Sequence, residues 1–310
     1  MADGELRAAA RRGRPDRTAP PGRAHAPHPP RPPRPTRPGR GGGPPRPDGG
    51  GTALRTDGLG TDGAGMALIA MWAHPRAIST AFLRMMIARG DVTVVHEPLV
   101  TLVDTGRVEL PAADGGSITV TSPAEVTAHL LDLGRDRPVF VKDTLEYRYG
   151  HLFDAPERIA DVTHTFLVRH PARTISSHHA IKPTVACHEI GYEHQWELFE
   201  LVRTTARRPP VVLSAEALLR DPARVVAAWC AAVGLPYRPE ALTWDPGDRT
   251  EWARTRIWHL DVERTSGFRP VAKDFTVTVE NNATLRAYYD HHHPFYQRLI
   301  QHAIPVEESS

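Results

Sequence analysis

The most informative part of this chain is the stretch Met66-Ala-Leu-Ile-Ala-Met-Trp-Ala-His-Pro-Arg-Ala-Ile-Ser-Thr-Ala-Phe-Leu-Arg-Met-Met86. Its apolar first part predicts a β-strand that breaks at Pro75, and a helix restarts through Arg76-Ala-Ile-Ser-Thr80. A strand that leads through a tight loop into a helix forms an anion site, because the unpaired backbone N–H groups and the helix dipole both point at the bound group. We therefore expect this loop to bind a phosphate or a sulfate.

The sequence of this loop differs from that of loops that bind nucleoside triphosphates. A Walker A loop requires Gly-x-x-x-x-Gly-Lys-Ser/Thr, and no such run occurs in the chain. Pro75-Arg-Ala-Ile-Ser-Thr80 instead resembles the 5′-phosphosulfate loop of the sulfotransferases that use 3′-phosphoadenosine 5′-phosphosulfate (PAPS), in the variant that reads Pro-Arg-Ser-x-Ser-Thr. The resemblance implies that Arg76 bridges the sulfuryl group and the leaving phosphate, and that the phosphosulfate is bound by Arg76, Ala77, Ile78, Ser79 and Thr80.

A second motif follows the buried-strand pattern Thr163-His-Thr-Phe-Leu-Val168. Arg169 ends this strand, Pro171 is suited to open a helix, and Ser177 lies eight positions after Arg169. This spacing resembles the 3′-phosphate motif of the same family. A ribose 3′-phosphate requires a charged, planar donor and a neutral one, which Arg169 and Ser177 supply.

The resemblance continues towards the C-terminus and covers residues 66–305. The segment from Val211 to Pro236 resembles the strand, turn and helix of the family; Asp221 is placed to cap the helix and Gly234 to end it. Arg264-Thr-Ser-Gly-Phe-Arg-Pro270 resembles a degenerate form of the late Arg/Lys-Gly element. This implies that Arg264 and Gly267 close over the 3′-phosphate and adenine.

The base that accepts the acceptor's proton is expected after the second strand. Val92-Thr-Val-Val-His-Glu-Pro-Leu99 reads as a strand that ends at His96-Glu97, where ligands bind in a parallel sheet. Glu97 resembles the carboxylate base of some sulfotransferase branches. Other branches use a His two residues beyond a Lys; here Lys142 is present, but Thr144 replaces that His. We therefore predict Glu97 as the base, His96 as the second candidate, and Lys142 as a further catalytic residue.

Short apolar strands alternate with amphipathic helices from residue 66 onward. This alternation predicts an α/β fold with one parallel sheet between two helix layers, and the resemblance implies the P-loop NTPase-like sulfotransferase fold. Segments 101–122 and 235–279 lack a regular pattern and are expected to be loops that build the acceptor pocket. The predicted strands are 66–72, 92–95, 139–142, 163–168 and 211–214, and the predicted helices are 78–89, 123–134, 171–179, 190–207, 221–233 and 280–302.

Residues 1–65 differ in composition from the rest. They hold 12 of the 38 basic residues and 13 of the 30 prolines, so residues 66–310 are mildly acidic. The segment has too little apolar area to offset the entropy of ordering it, so we expect a disordered tail, with translation starting at Met66 as an alternative. We expect a sulfotransferase domain over 66–305 and a short tail over 306–310. Since no aromatic residue interleaves the tail arginines, no nucleic-acid partner is expected.

The cysteines and histidines indicate in which compartment the protein resides and whether it binds a metal. Cys187 and Cys230 lack metal-ligand spacing, and no apolar span marks a signal peptide or a membrane helix, so we expect a cytoplasmic protein without a membrane partner. His291-His-His293 suggests a metal site, but consecutive helical side chains point about 100° apart. We therefore expect a solvated helix face or a helix end there, and no metal.

The function implied by the resemblance is sulfuryl transfer from PAPS, as co-substrate, to a hydroxyl or amine of a small-molecule acceptor, without a metal. Ala77 and Ile78 replace the Ser and Gly common in the phosphosulfate loop. This leaves open a catalytically silent domain that binds adenosine 3′,5′-bisphosphate (PAP) or a protein partner. A nucleotide kinase-like enzyme is another alternative, although the chain lacks the Walker Lys that it requires.

Overall fold

The computed structural model describes residues 68–270 and 273–305. The predicted tails, 1–65 and 306–310, lie outside these described residues. Within the described ranges, no helix combines the length and apolar character needed to cross a membrane.

The described residues form α-helices and β-strands in alternation. The strands are β1 (Leu68–Ala73), β2 (Thr93–His96), β3 (Val108–Pro111), β4 (Ser117–Val120), β5 (Val139–Thr144), β6 (Thr163–Val168) and β7 (Val211–Ser214). The α-helices are α1 (Ser79–Arg89), α2 (Pro98–Thr105), α3 (Pro123–Asp136), α4 (Gly150–Asp154), α5 (Pro171–Ile181), α6 (Tyr192–Thr205), α7 (Ala215–Arg220), α8 (Pro222–Val233), α9 (Leu260–Glu263) and α10 (Ala283–Ile300). Short 3₁₀ segments cover Pro156–Ile159, Cys187–Ile190, Pro239–Leu242 and Thr250–Trp258.

The central sheet has five parallel strands in the order β2-β5-β1-β6-β7, which confirms the predicted fold. Alternate residues of β1 enter two separate cores, because successive strand side chains point to opposite faces. Ala70 and Trp72 pack in one core with residues of α3, α6 and α10. Ile69 and Met71 pack in the other with residues of α1 and α8. The sheet is thus the middle of three layers.

The ends of the helices follow local signals in the sequence. Asp221 accepts a hydrogen bond from the backbone N–H of Arg224 and caps α8, and Gly234 ends that helix at φ 79°, as predicted. Pro171 is the first residue of α5. The predicted helix over 190–207 begins only at Tyr192, because Gly191 adopts φ 87°.

The expectation that 101–122 is an irregular loop was wrong. This segment holds most of α2 and the antiparallel hairpin β3-β4, in which Val108 pairs with Val120. Val108 and Leu110 are buried, and Gly115 adopts φ 89° in the connecting turn. Alternating apolar residues next to an Asp-Gly turn are a hairpin signal. The second expected loop, 235–279, contains only short 3₁₀ and α-helical turns among its described residues.

Candidate active site

The site lies at the carboxyl ends of the parallel strands, where the loops after β1, β2, β5 and β6 meet. Three non-glycine residues have positive φ in the described chain: Arg76 at 67°, Ile78 at 63° and Glu97 at 46°. Positive φ is costly for a side chain with a Cβ atom, and most of all for a β-branched one. All three residues line the same cavity of about 410 Å³. Backbone strain is therefore concentrated at this cavity.

The Arg76 side chain connects both predicted phosphate motifs. Its Nε donates to the Ser177 Oγ at 3.0 Å, and its Nη1 donates to the Trp258 carbonyl at 2.6 Å. Its Nη2 donates to the Asp261 Oδ2 at 3.4 Å. Burial lowers the pKa of the Arg76 guanidinium, and the negative charge of Asp261 opposes that decrease. The loop after β1 is thus joined to α5 and to the segment around α9.

Arg169 is positioned by a buried aromatic pair that the sequence did not suggest. Its backbone N–H donates to the His74 Nε2 at 3.0 Å, and its carbonyl accepts a hydrogen bond from the Tyr192 hydroxyl. The rings of His74 and Tyr192 stack at 4.0 Å. Burial lowers the pKa of His74 to about 3, so the ring is neutral at pH 7. The Arg169 Nη1 donates to the Arg76 carbonyl at 3.2 Å.

Glu97 forms a buried ion pair with Lys142. The Lys142 Nζ contacts the Glu97 Oε1, and the two residues are 1% and 7% exposed. The Glu97 N–H donates to the Lys142 carbonyl at 2.7 Å, which extends the pairing of β2 with β5. Burial opposes ionisation of Glu97, but attraction to Lys142 and His96 outweighs it and lowers the pKa of Glu97 to about 2. Glu97 is therefore ionised at neutral pH but only weakly basic.

The turn that holds Glu97 depends on a residue that sequence reasoning did not single out. Asp143 of β5 is fully buried among its neighbours. Its carboxyl group accepts hydrogen bonds from the backbone N–H groups of Leu99 at 2.8 Å and Val100 at 3.2 Å. Asp143 thereby accepts hydrogen bonds from N–H groups in the first turn of α2, which have no carbonyl partner within the helix. The Glu97 side chain is not used as the helix cap and faces Lys142 instead.

Two histidines lie next to this ion pair. The His96 Nε2 is 3.6 Å from the Glu97 Oε1 and has no hydrogen-bond partner among the described residues. The His259 Nδ1 lies 3.0 Å from the Thr80 Oγ1, and its Nε2 lies 3.1 Å from the Thr255 Oγ1. Burial lowers the pKa of His96 to about 4 and that of His259 to about 3. Both rings are neutral at pH 7, and His259 comes from a segment without a sequence motif.

The cavity brings together most, but not all, of the predicted site residues. Ala77 is buried in the core, the His96 ring packs against Trp252 and His259, and Arg264 is exposed on the surface. None of these three side chains is among those that line the described cavity, whereas Arg269 and Lys273 are. The predicted residues that line it are Arg76, Ile78, Ser79, Thr80, Glu97, Lys142, Arg169, Ser177 and Gly267.

Two groups of described side chains could hold a metal ion. The first is His96, Glu97 and His259, where the Lys142 ammonium already contacts Glu97. The second is Cys187 with His291 and His292.

The second group corrects the expectation that the histidine run is a solvated face or a helix end, since the run lies in the middle of α10. His291 is exposed, but His292 is fully buried, and its Nε2 lies 2.7 Å from the Cys187 carbonyl and 3.6 Å from the sulfur. His292 therefore serves to join α10 to the segment that contains Cys187.

A family model for a sulfotransferase domain matches residues 66–302. The chain belongs to the sulfotransferase family. This sulfotransferase is also similar to two Arabidopsis thaliana proteins named branched-chain-amino-acid aminotransferase-like. Protein 2 is 26% identical over 211 residues, which are 66% of this chain and 36% of the relative. Protein 1 is 27% identical over 218 residues, which are 65% of this chain and 36% of the relative. The chain thus spans about a third of the length of these relatives.

Solved structures with similar chains include two sulfotransferase domains. The domain from the Synechococcus PCC 7002 olefin synthase is 16% identical, covers 74% of this chain and 96% of its own, and has a TM-score of 0.46. The domain from the curacin biosynthetic pathway is 12% identical, covers 73% and 97% of the two chains, and has a TM-score of 0.48.

Proposed function

We propose that this sulfotransferase uses PAPS as its donor and transfers the sulfuryl group to a hydroxyl or amine of a small-molecule acceptor. The observation that carries the proposal is the contact of Arg76 with Ser177 and with the Arg169 side chain, across 101 and 93 positions of sequence. Two loops whose sequences resemble the two phosphate motifs of PAPS enzymes therefore meet in one cavity. A cofactor with phosphates at both ends of a ribose matches that arrangement.

The donor is assigned to the cavity side built by β1 and β6. Arg169 and Ser177 bind the 3′-phosphate, as a charged fork and a neutral donor. The first turn of α1, with the Ser79 and Thr80 hydroxyls, binds the 5′-phosphosulfate, because unpaired backbone N–H groups favour an anion there. Arg76 lies between the residues assigned to the 3′-phosphate and those assigned to the 5′-phosphosulfate. When PAPS binds, the Arg76 guanidinium turns from Asp261 towards the oxygen that joins the sulfuryl group to the 5′-phosphate.

The reaction is an in-line displacement at sulfur. The acceptor oxygen or nitrogen forms a bond to sulfur while the bond between sulfur and the 5′-phosphate oxygen breaks. The electron pair of that bond stays on the leaving PAP, whose charge Arg76 and the N–H groups of α1 stabilise. The acceptor proton passes to Glu97, with His96 as the alternative base. No step requires a metal, since the described cations supply the positive charge.

In the proposed reaction, Lys142 changes how strongly basic the Glu97 carboxylate is. In the free enzyme the ammonium keeps the Glu97 carboxylate ionised and weakly basic. As negative charge develops on the leaving phosphate, Lys142 is attracted to it and away from Glu97. The carboxylate then becomes a stronger base at the moment the acceptor proton must leave, which is when general-base catalysis is effective.

Isothermal titration with PAP, adenosine 5′-phosphate and ATP tests the donor assignment. We expect PAP to bind at least tenfold more tightly than adenosine 5′-phosphate, since the 3′-phosphate adds charge-assisted hydrogen bonds of about 1.5–3 kcal/mol. Preference for ATP would favour a nucleotide kinase-like enzyme. PAP binding without release of PAP from PAPS in the presence of a metabolite extract would favour a catalytically silent domain.

A further inference from the structure

Backbone pairing between β1 and β6 ends before the two phosphate loops begin. The last paired residues of these strands are Ala73 and Leu167. The loops that the proposed function assigns to the phosphates start later, at Pro75 and Arg169. Beyond the last pair, the sheet no longer fixes how far apart these two loops lie. Another contact must therefore set the distance between the sites for the 5′-phosphosulfate and the 3′-phosphate.

The His74 side chain provides such a contact. Its Nε2 accepts a hydrogen bond from the backbone N–H of Arg169 at 3.0 Å, and its Nδ1 lies 3.0 Å from the Pro75 carbonyl. Because an amide N–H only donates and a carbonyl only accepts, both partners specify the same state of the ring, with its proton on Nδ1. One buried ring thus joins the backbones of the two loops.

The surroundings of His74 hold the ring in this orientation and in this state. The ring is fully buried and stacks on Tyr192, whose hydroxyl donates to the Arg169 carbonyl. Burial lowers the pKa of His74 to about 3, so its Nε2 is free to accept a hydrogen bond at neutral pH. The N–H and the carbonyl of Arg169 therefore both have a buried side-chain partner.

The hydrogen bonds of His74 differ from the other contacts between the loops, because a bound ligand does not compete for them. The Arg76 guanidinium contacts Ser177, and the Arg169 guanidinium contacts the Arg76 carbonyl, but all three residues line the cavity and are assigned to the phosphates. His74 is not among the residues that line the described cavity. Its two hydrogen bonds are therefore kept when the assigned side chains turn to the ligand.

We propose that His74 is a positioning residue that fixes the spacing of the two phosphate loops, so that one PAPS molecule contacts both of them at once. This role rests on the proposed function. The ribose sets the separation of its two phosphates, so only correctly spaced loops bind both. When the spacing is correct, the first contact makes the second one intramolecular, which raises the affinity. A ligand with a single phosphate needs one loop and gains nothing from the spacing.

The test compares the affinities of PAP, adenosine 5′-phosphate and adenosine 3′-phosphate for the parent and for His74→Phe by titration calorimetry. The phenyl ring can still stack on Tyr192, but it makes neither hydrogen bond. We expect PAP to bind about 10- to 100-fold more weakly, since a misplacement of about 1 Å costs on the order of 10²-fold. Each monophosphate should stay within about 3-fold of its parental affinity, because it does not depend on the spacing.

His164→Phe is the matched control. His164 is also a buried histidine with partners for both ring nitrogens, since its Nδ1 accepts from the Trp72 Nε1 at 2.9 Å and its Nε2 lies 3.0 Å from the Ile159 carbonyl. It does not line the described cavity either. This variant loses the same two kinds of hydrogen bond and should keep the parental ratio of the three affinities.

Unchanged PAP affinity in His74→Phe, a loss for adenosine 3′-phosphate as large as that for PAP, or the same selective loss in His164→Phe would overturn the positioning role. If circular dichroism shows that His74→Phe does not fold, His74→Gln replaces it. The shorter reach of the amide to Pro75 should again weaken PAP alone, and parental PAP affinity would overturn the role. A parent that binds PAP no more tightly than adenosine 5′-phosphate would contradict the proposed function itself, which distinguishes the two failures.

Discussion

The Nε of Arg76 donates a hydrogen bond to the Oγ of Ser177 at 3.0 Å, although the two residues are 101 positions apart. The contact joins the loop before α1 to α5 and places both predicted phosphate motifs in one cavity. The same guanidinium contacts Asp261 at 3.4 Å, and Asp261 also accepts a hydrogen bond from Lys273 at 2.6 Å. Asp261 therefore already contacts Arg76, to which the proposed function assigns the leaving phosphate, and Lys273, which also lines the cavity.

Asp261→Asn should tighten PAP binding by about 2- to 5-fold, because partly exposed ion pairs contribute about 0.2–1 kcal/mol and this one competes with the ligand. Titration calorimetry at low salt checks the change. Asp248→Asn is the control, since Asp248 pairs with Arg256 and does not line the cavity. Unchanged or weaker binding in Asp261→Asn would show that Asp261 does not compete with the phosphate.

Arg169→Ala should weaken PAP binding by about 1.5–3 kcal/mol, the range for hydrogen bonds to charged groups. Its affinity for adenosine 5′-phosphate, which lacks the 3′-phosphate, should hardly change. Titration of both ligands checks this, with the exposed Arg158→Ala as the control. Equal losses for the two ligands would mean that Arg169 supports the loop structure through its contact with Arg76 rather than binding the 3′-phosphate.

Lys142→Met should lower the free energy of unfolding by about 3–5 kcal/mol, because it leaves the Glu97 carboxylate buried without its partner. The double variant Lys142→Met with Glu97→Gln should recover most of that loss, as measured by urea denaturation. Lys182→Met, which breaks a more exposed pair with Glu189, should cost less than about 1 kcal/mol. If the double variant is as unstable as Lys142→Met alone, the loss of stability does not come from an unpaired Glu97 carboxylate.

The same ion pair predicts a loss of stability in acid. The pKa of Glu97 falls from its ordinary 4.5 to about 2 in the folded protein, so folding favours the ionised form. This contribution is present above pH 4.5 and is lost as the pH falls from there towards 2. The free energy of unfolding of the parent should therefore decline over that interval more steeply than that of the Lys142→Met, Glu97→Gln double variant. Parallel pH profiles would be inconsistent with a paired Glu97.

Glu97→Gln tests the assigned base, because it keeps the size of the side chain but removes its ability to take a proton. Turnover should fall about 10²- to 10⁴-fold, the usual contribution of general-base catalysis, while PAP affinity stays within a few-fold. Rates are measured where chemistry limits turnover. If this variant keeps more than about a third of parental turnover while His96→Asn is inactive, His96 is the base.

Residues that directly follow parallel strands could be predicted from the sequence. Arg76, Glu97 and Arg169 each come after a short apolar run, and the carboxyl ends of parallel strands meet at one edge. Lys142 lies within β5 and reaches the same place because it pairs in register with His96. Motif order and strand periodicity were therefore sufficient to indicate the fold and much of the cavity wall.

The rest of the cavity wall could not be predicted in this way. His259 and Asp261 belong to a segment of short helical turns without apolar periodicity. That segment is held by distant contacts, such as the buried Arg84 side chain that donates to the carbonyls of Asp245 and Gly247. Such contacts leave no pattern along the sequence. The Asp143 cap of α2 is likewise formed between elements, so local capping rules do not identify it.

In the proposed reaction the sulfuryl group passes from PAPS to an acceptor in this cavity. The most direct measurement incubates the enzyme with sulfur-labelled PAPS and a metabolite extract and follows both PAP release and labelled sulfate esters or sulfamates by mass spectrometry. We expect equal amounts of PAP and labelled product, and both should form about 10²- to 10⁴-fold more slowly in Glu97→Gln. If the protein binds PAP but yields no more PAP and no more labelled product than a reaction without enzyme, the proposed sulfuryl transfer from PAPS is contradicted.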